Sequence, residues 1–200
     1  MVAYDARTAL LVVDVQNDFA DPDGSLSVAG GIEIIPRLNG EIERATASGA
    51  PVLYTQDWHP ISTPHFAKDG GIWPVHCVAE TWGAAFHPDL VVQGPSIRKG
   101  VAGEDGYSGF SVRHPESGER SDTELEALLR ERGVSRVVIG GIATDYCVLA
   151  TTLDARRLGF EVTVLTDAIA AVDLQPGDGA RALEAMADAG ATLETTDGQD

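Results

Sequence analysis

The run Thr8-Ala9-Leu10-Leu11-Val12-Val13 is apolar at every position after its first, and a carboxylate, Asp14, follows it directly. Alternation of apolar and polar residues would mark a strand with one wet face; an unbroken run marks a strand covered on both. Such a strand needs a layer of structure on each side. The rest of the chain supplies the material. Further strands are expected at Pro51–Thr55, Val134–Ile139, Glu161–Leu165 and Ala191–Glu194, with one or two less regular ones between Asp89 and Arg98. Helical spacing occupies Ile32–Ser48, stopped by Gly49, and Asp122–Arg132, with Ser121 as N-cap and Gly133 as stop. It returns over Asp145–Leu158, ended by Gly159, and over Gly177–Ala189. This β-α-β-α rhythm predicts an α/β protein: a three-layer, doubly wound fold whose mostly parallel central sheet is flanked by helices. The 200 residues suit a single domain, 1–200, with a full core. No internal repeat or low-complexity linker interrupts it. Trp58–Pro88 is too rich in Trp, His, Pro and Gly to be a spacer, and long ordered loops in compact domains are often functional. Thr195–Asp200 is polar and is expected to fray.

Composition excludes several classes of function. At 44% hydrophobic residues the chain is not disordered, and a formal net charge of −17 argues against nucleic acid or an anionic membrane as the main partner. Two cysteines, Cys77 and Cys147, are too few for a disulfide scaffold. No apolar run is long enough to span a membrane, and Met1–Arg7 lacks the basic start and apolar stretch of a signal peptide. A reducing cytoplasm is the expected location.

Cys147 lies just beyond the Val137-Val138-Ile139 strand, near the first turn of the helix that follows. Free backbone N–H groups and the positive end of the helix dipole favour a thiolate there, and ligands bind at that end of an open α/β sheet. A free cysteine is otherwise most often a small buried apolar residue. Asp14, taken alone, also serves as a turn cap. Lys99, at the end of Ser96-Ile97-Arg98, would alone be a solvated lysine. All three fall at C-terminal strand ends, which converge in a doubly wound sheet. A carboxylate, a cation and a thiol brought together make a nucleophilic site.

A second constellation surrounds the loop. Asp57 and His59, two apart at a strand end, can share one ion, and His76 can supply a third ligand. His65 lies between them in a chain with five histidines. Imidazole with carboxylate suits zinc, iron or manganese. His87 and His114 stand outside this pattern and are expected at the surface. Phe19, Trp73 and Tyr107 lie a few residues from the chemical groups and could wall a flat pocket for an aromatic ring, although any one of them could instead anchor a loop. Gly103–Gly109 reads as tight turns rather than a phosphate loop, and no G-x-G-x-x-G follows the first strand, which disfavours a dinucleotide oxidoreductase.

Together these motifs resemble the nicotinamidases of the isochorismatase-like cysteine hydrolases, over about Leu10–Asp167. Asp14-Val15-Gln16-Asn17-Asp18-Phe19, Lys99-Gly100 and Gly141–Val148 resemble the motifs of the whole superfamily. Asp57-Trp58-His59, with His65 and Trp73-Pro74-Val75-His76-Cys77, resembles the metal loop of nicotinamidases, here about 57–88. The resemblance implies hydrolysis of nicotinamide to nicotinate and ammonia through a thioester on Cys147. Asp14 would be the acid–base group and Lys99 the charge holder. Ala143 and Cys147 would form an oxyanion hole, with a cis peptide near Ile142-Ala143. Phe19, Trp73 and Tyr107 would contact the substrate. One divalent metal would be held by Asp57, His59, His65 and His76, zinc first among zinc, iron and manganese; not every member uses the ligand at His65. Pyrazinamide is a further substrate such a pocket could take, and a homo-oligomer is compatible with the sequence. The alternatives are a metal-free relative acting on another small amide and a non-catalytic metal-binding protein on the same fold.

Overall fold

The computed structural model describes residues 2–197. Its central sheet has six strands in the order β3-β2-β1-β6-β7-β8, and every neighbouring pair is parallel. The strands are β1 (Thr8–Val13), β2 (Val52–Asp57), β3 (Ser96–Lys99), β6 (Arg136–Ile142), β7 (Glu161–Ala170) and β8 (Thr192–Glu194). Strand order reverses between β1 and β6, and a doubly wound sheet opens a crevice at such a point, beyond the carboxyl ends of the strands.

The unbroken apolar run of β1 has the consequence expected of it. Leu10 and Val12 enter one core, with Ile35, Leu38 and Ile42 of α2 (Ile35–Ala47). Ala9, Leu11 and Val13 enter a second core on the opposite face. There they meet Leu125 and Leu129 of α3 (Leu125–Glu131), Ala155 of α4 (Leu149–Arg157) and Met186 of α5 (Asp178–Asp188). Three layers result, as the sequence predicts.

Several boundaries differ from expectation. Ser121 does not cap α3; it belongs to β5 (Arg120–Asp122), which pairs antiparallel with β4 (Ser111–Arg113), and Thr123 Oγ1 instead accepts the N–H of Leu125. A short helix α1 (Asn17–Ala20) follows β1. β7 runs five residues past Leu165, where Ile169 and Ala170 pair with Gly141 and Ile142 of β6 after a register shift, and within that extension Asp167 accepts hydrogen bonds from the N–H and hydroxyl of Thr196. Those bonds also tie down part of the segment expected to fray; 198–200 lie outside the described residues. Among the described residues no helix is long and apolar enough to cross a membrane.

The segment between β2 and β3 contains only one 3-10 turn, Ala67–Asp69, yet it is fastened along its length. Isolated bridges join His59 to Val78, Phe66 to Trp73 and Gln16 to Phe86.

Candidate active site

Four strands deliver chemistry to one end of the sheet. Asp14 follows β1, Asp57 and Lys99 end β2 and β3, and Cys147 sits in a π-helical turn, Thr144–Val148, after β6. The chain turns sharply at Asp14, with φ of +49°, a left-handed conformation that aspartate tolerates better than most residues. Gly141, at φ +127°, lets β6 approach β1 there: a Cβ would fall 2.1 Å from the carbonyl oxygen of Val13.

Lys99 lies at the centre, 1% exposed. Its ammonium is 2.7 Å from Asp14 Oδ2, contacts Asp57 Oδ1, and stands 3.5 Å from Cys147 Sγ. Thr55 Oγ1 donates to the other oxygen of Asp14 at 2.7 Å. A buried ammonium is costly unless paired. Burial works against the charge on Lys99, but Asp14 and Asp57 outweigh it and hold its pKa well above that of an ordinary lysine. Burial pushes the Asp14 carboxyl up, with Lys99 opposing. For Asp57, burial pushes upward too, but Lys99 and then His59 and His76 win and hold it below the usual carboxylate range. Burial raises the Cys147 thiol well above an ordinary cysteine, against the pull of Lys99. Burial therefore opposes the thiolate that helix position alone favours, beside a carboxylate made more basic by the same burial.

The free oxygen of Asp57 faces the histidines, 3.8 Å from His59 Nε2 and 3.9 Å from His76 Nε2. His59, His65 and His76 each bring a ring nitrogen within 4.8 Å of the others, and all three are buried. His76 Nδ1 lies 2.8 Å from the carbonyl of Pro74, which can only accept, so Nε2 keeps its lone pair. Burial pushes His76 down to about 4, favouring the neutral, ligating form. Both ring nitrogens of His59 are buried without a hydrogen-bond partner. Unpaired imidazole nitrogens beside an ionised carboxylate are what a divalent cation would satisfy, and the set fits one.

Phe19, Trp73 and Tyr107 line the pocket that reaches Cys147, with Ala143 in its wall after a cis Ile142–Ala143 bond. Trp73 Nε1 donates to the Tyr107 hydroxyl at 3.1 Å. Tyr146 packs edge-on to Trp73, with ring centroids 4.8 Å apart, and completes the aromatic wall. Sequence reasoning missed it, although its place beside Cys147 was a usable clue. Leu26 and Val172 also line the pocket, and nothing local in the sequence marks them.

Gln16 is another residue that sequence reasoning missed. Its side-chain amide donates to the carbonyls of Asp57 (2.7 Å) and Ala84 (2.9 Å), and its oxygen accepts the Asp57 N–H at 2.8 Å. It clamps Asp57 from both sides. It is fully buried with its amide satisfied by contacts distant in sequence, and no local sequence signal marks it. Asp18, two residues on, accepts the N–H of Cys77 at 2.7 Å and so holds the loop after His76. His114 is exposed as expected, but His87 is not a surface residue: it is 4% exposed, with Nε2 3.5 Å from Asp21 and its backbone N–H bonded to Val15.

Residues 8–198 match the isochorismatase domain model. Nicotinamidase of Escherichia coli is 38% identical, covering 94% of each chain. The crystal structure of pyrazinamidase of Pyrococcus horikoshii in complex with zinc superposes with a TM-score of 0.84 at 43% identity, over 94% of this chain and 99% of that one. PnC1 of L. infantum in complex with nicotinate gives 0.87 at 36% identity, over 98% and 97%. Sequence and fold agree over nearly the whole length, and the chain belongs to the isochorismatase domain family.

Proposed function

We propose that this protein is a nicotinamidase, an amidohydrolase that converts nicotinamide and water to nicotinate and ammonia, working as one domain whose 57–88 loop builds the metal and ring site. One observation carries the reading: a single buried ammonium, Lys99, touches Asp14 and Asp57 and stands 3.5 Å from Cys147 Sγ. A nucleophile, its base and a metal-facing carboxylate thus share one cation. The relatives named nicotinamidase, and those solved with nicotinate or zinc, support the same substrate class.

Cys147 attacks the carboxamide carbon as its proton passes to Asp14. The N–H groups of Ala143 and Cys147 receive the negative charge that develops on the carbonyl oxygen. Asp14 returns the proton to the departing nitrogen, and ammonia leaves a thioester on Cys147. A water molecule, deprotonated by Asp14, cleaves that thioester and restores the thiol. Lys99 holds Asp57 ionised and pairs with Asp14 whenever that carboxylate carries no proton. Phe19, Trp73 and Tyr107 hold the flat ring. A divalent metal, zinc before iron or manganese, held by Asp57, His59, His65 and His76 would supply a Lewis-acidic anchor for the ring nitrogen. The three buried imidazoles favour this over a metal-free amidase. The same pocket would take pyrazinamide, and a small soluble substrate suits a cytoplasmic enzyme.

The test is ammonia release from nicotinamide by purified protein, before and after chelation, with metal content read on the same sample. Release that falls on stripping and returns with zinc, iron or manganese is expected. No release from fully metal-loaded protein would overturn the assignment.

A further inference from the structure

His65 differs from the other candidate ligands in what holds it. His59 lies two residues past the end of β2, and His76 is oriented by Pro74 of its own loop. The Nδ1 of His65 instead meets a carboxylate forty residues away: Asp105 Oδ1, at 2.9 Å, on the segment between β3 and β4. We propose that Asp105 is the positioning residue that makes His65 a metal ligand, through the hydrogen bond from Nδ1–H to its carboxylate. The inference rests on the metal set proposed above.

An ionised carboxylate can only accept, so the hydrogen between the two groups belongs to Nδ1. In the neutral imidazole Nε2 then carries the lone pair, the nitrogen left free for a metal shared with His59 and His76. Carboxylates placed behind a ligating imidazole fix its tautomer and rotation and raise its basicity. Asp105 is itself held firmly. Its other oxygen accepts from Arg113 Nη2 at 2.8 Å, its N–H donates to the Arg113 carbonyl at 2.7 Å, and Gly106 N–H donates to Oδ1 at 2.9 Å. A carboxylate fastened this way presents one fixed acceptor, whereas a freely rotating surface aspartate would not.

The same segment reaches the ring site. Two residues on, the Tyr107 hydroxyl accepts from Trp73, and Gly103 accepts from Thr63 Oγ1 at 3.2 Å. The 101–110 segment is therefore stitched to the histidine loop at three points, one of them on a metal ligand. Ligation by His65 would tighten the wall against which the substrate ring packs.

The test measures zinc affinity of the full-length protein by competition with a chromophoric chelator, independently of turnover. Asp105→Ala is expected to weaken zinc binding by about 10- to 100-fold, and Asp105→Asn, which keeps an acceptor oxygen, to recover most of that loss. In a His65→Ala background, Asp105→Ala should cost nothing further, because its effect passes through His65. Should Asp105→Ala not fold by circular dichroism, Asp105→Ser, too short to reach Nδ1, reads the same cycle. Zinc affinity unchanged in the single variant, or an equal loss with and without His65, overturns the proposal. Wild-type protein that binds zinc but releases no ammonia from nicotinamide would refute the assigned activity while leaving this affinity cycle to be decided on its own result.

Discussion

Asp57 and Lys99 are register partners on the adjacent parallel strands β2 and β3, and the carboxylate of one holds the ammonium of the other. The pairing places both charges at the same height above the sheet. From there Asp57 faces the histidines with its second oxygen, while Lys99 reaches Asp14 and Cys147. Two strand ends thereby join the metal-ligand cluster to the nucleophile without any loop between them.

Removing Lys99 should therefore damage the fold as well as the chemistry. Lys99→Met would leave Asp14 and Asp57 buried with no cation beside them. Breaking a buried pair by deleting one partner costs about 3–5 kcal/mol. Urea unfolding of wild type and variant, both metal-free, gives the difference directly. An unchanged midpoint would mean that the carboxylates find other compensation.

Cys147 and Asp14 should behave as one unit. Cys147→Ala is expected to lower kcat for nicotinamide by at least about 10³-fold, and Asp14→Asn by a comparable factor. Because the two residues perform a single transfer, the double variant should be no worse than the poorer single one. Steady-state rates across the three variants check this. Losses that multiply would show that Asp14 acts apart from the thiol.

Metal removal should be visible as lost stability. A ligand that binds only the folded state at 100 times its Kd adds about 2.7 kcal/mol, which for a chain of this size raises Tm by about 5–10 °C. Scanning calorimetry with chelator or with zinc measures it. His59, whose two ring nitrogens are both unpartnered, is the sharpest control. His59→Ala should abolish most of the zinc-dependent rise, and a rise of full size in that variant would remove His59 from the ligand set.

Much of this was legible because strand ends are legible. An apolar run that stops at a carboxylate, a lysine or a turn before a cysteine reports where the chain leaves a parallel sheet. The doubly wound topology then gathers those exits, so Asp14, Lys99 and Cys147 could be grouped without coordinates. The β4–β5 hairpin was not legible, since Ser111-Val112-Arg113 is only three residues long with a single apolar one, and Arg120-Ser121-Asp122 is exposed and carries no core pattern. Gln16 and Asp105 act across 41 and 40 residues, and no local periodicity encodes such contacts. The electrostatic balance at Cys147 was not legible for a related reason. Helix position and a neighbouring lysine can be read from sequence, but burial, which opposes them, is a property of the packed site.

Gly100 tests whether the order of Lys99 and the histidines is set by backbone as well as charge. It follows Lys99 with φ of +80°, and a Cβ there would lie 2.5 Å from Nδ1 and 2.6 Å from Cε1 of His59. Alanine at this position meets two obstacles at once, a left-handed backbone and an imidazole ring that cannot retreat without leaving the cluster. Gly100→Ala is thus expected to destabilise the protein by about 1–3 kcal/mol and to displace His59 from its neighbours. The displacement has its own signature. Zinc affinity should fall by more than the stability loss alone explains, since the clash acts on a ligand. Gly118 has nearly the same backbone, with φ of +70°, and open space where a Cβ would go. Gly118→Ala should share the backbone cost and leave zinc affinity intact. Equal zinc affinity in the two variants would mean that His59 tolerates the clash and that the motif needs glycine for its turn alone.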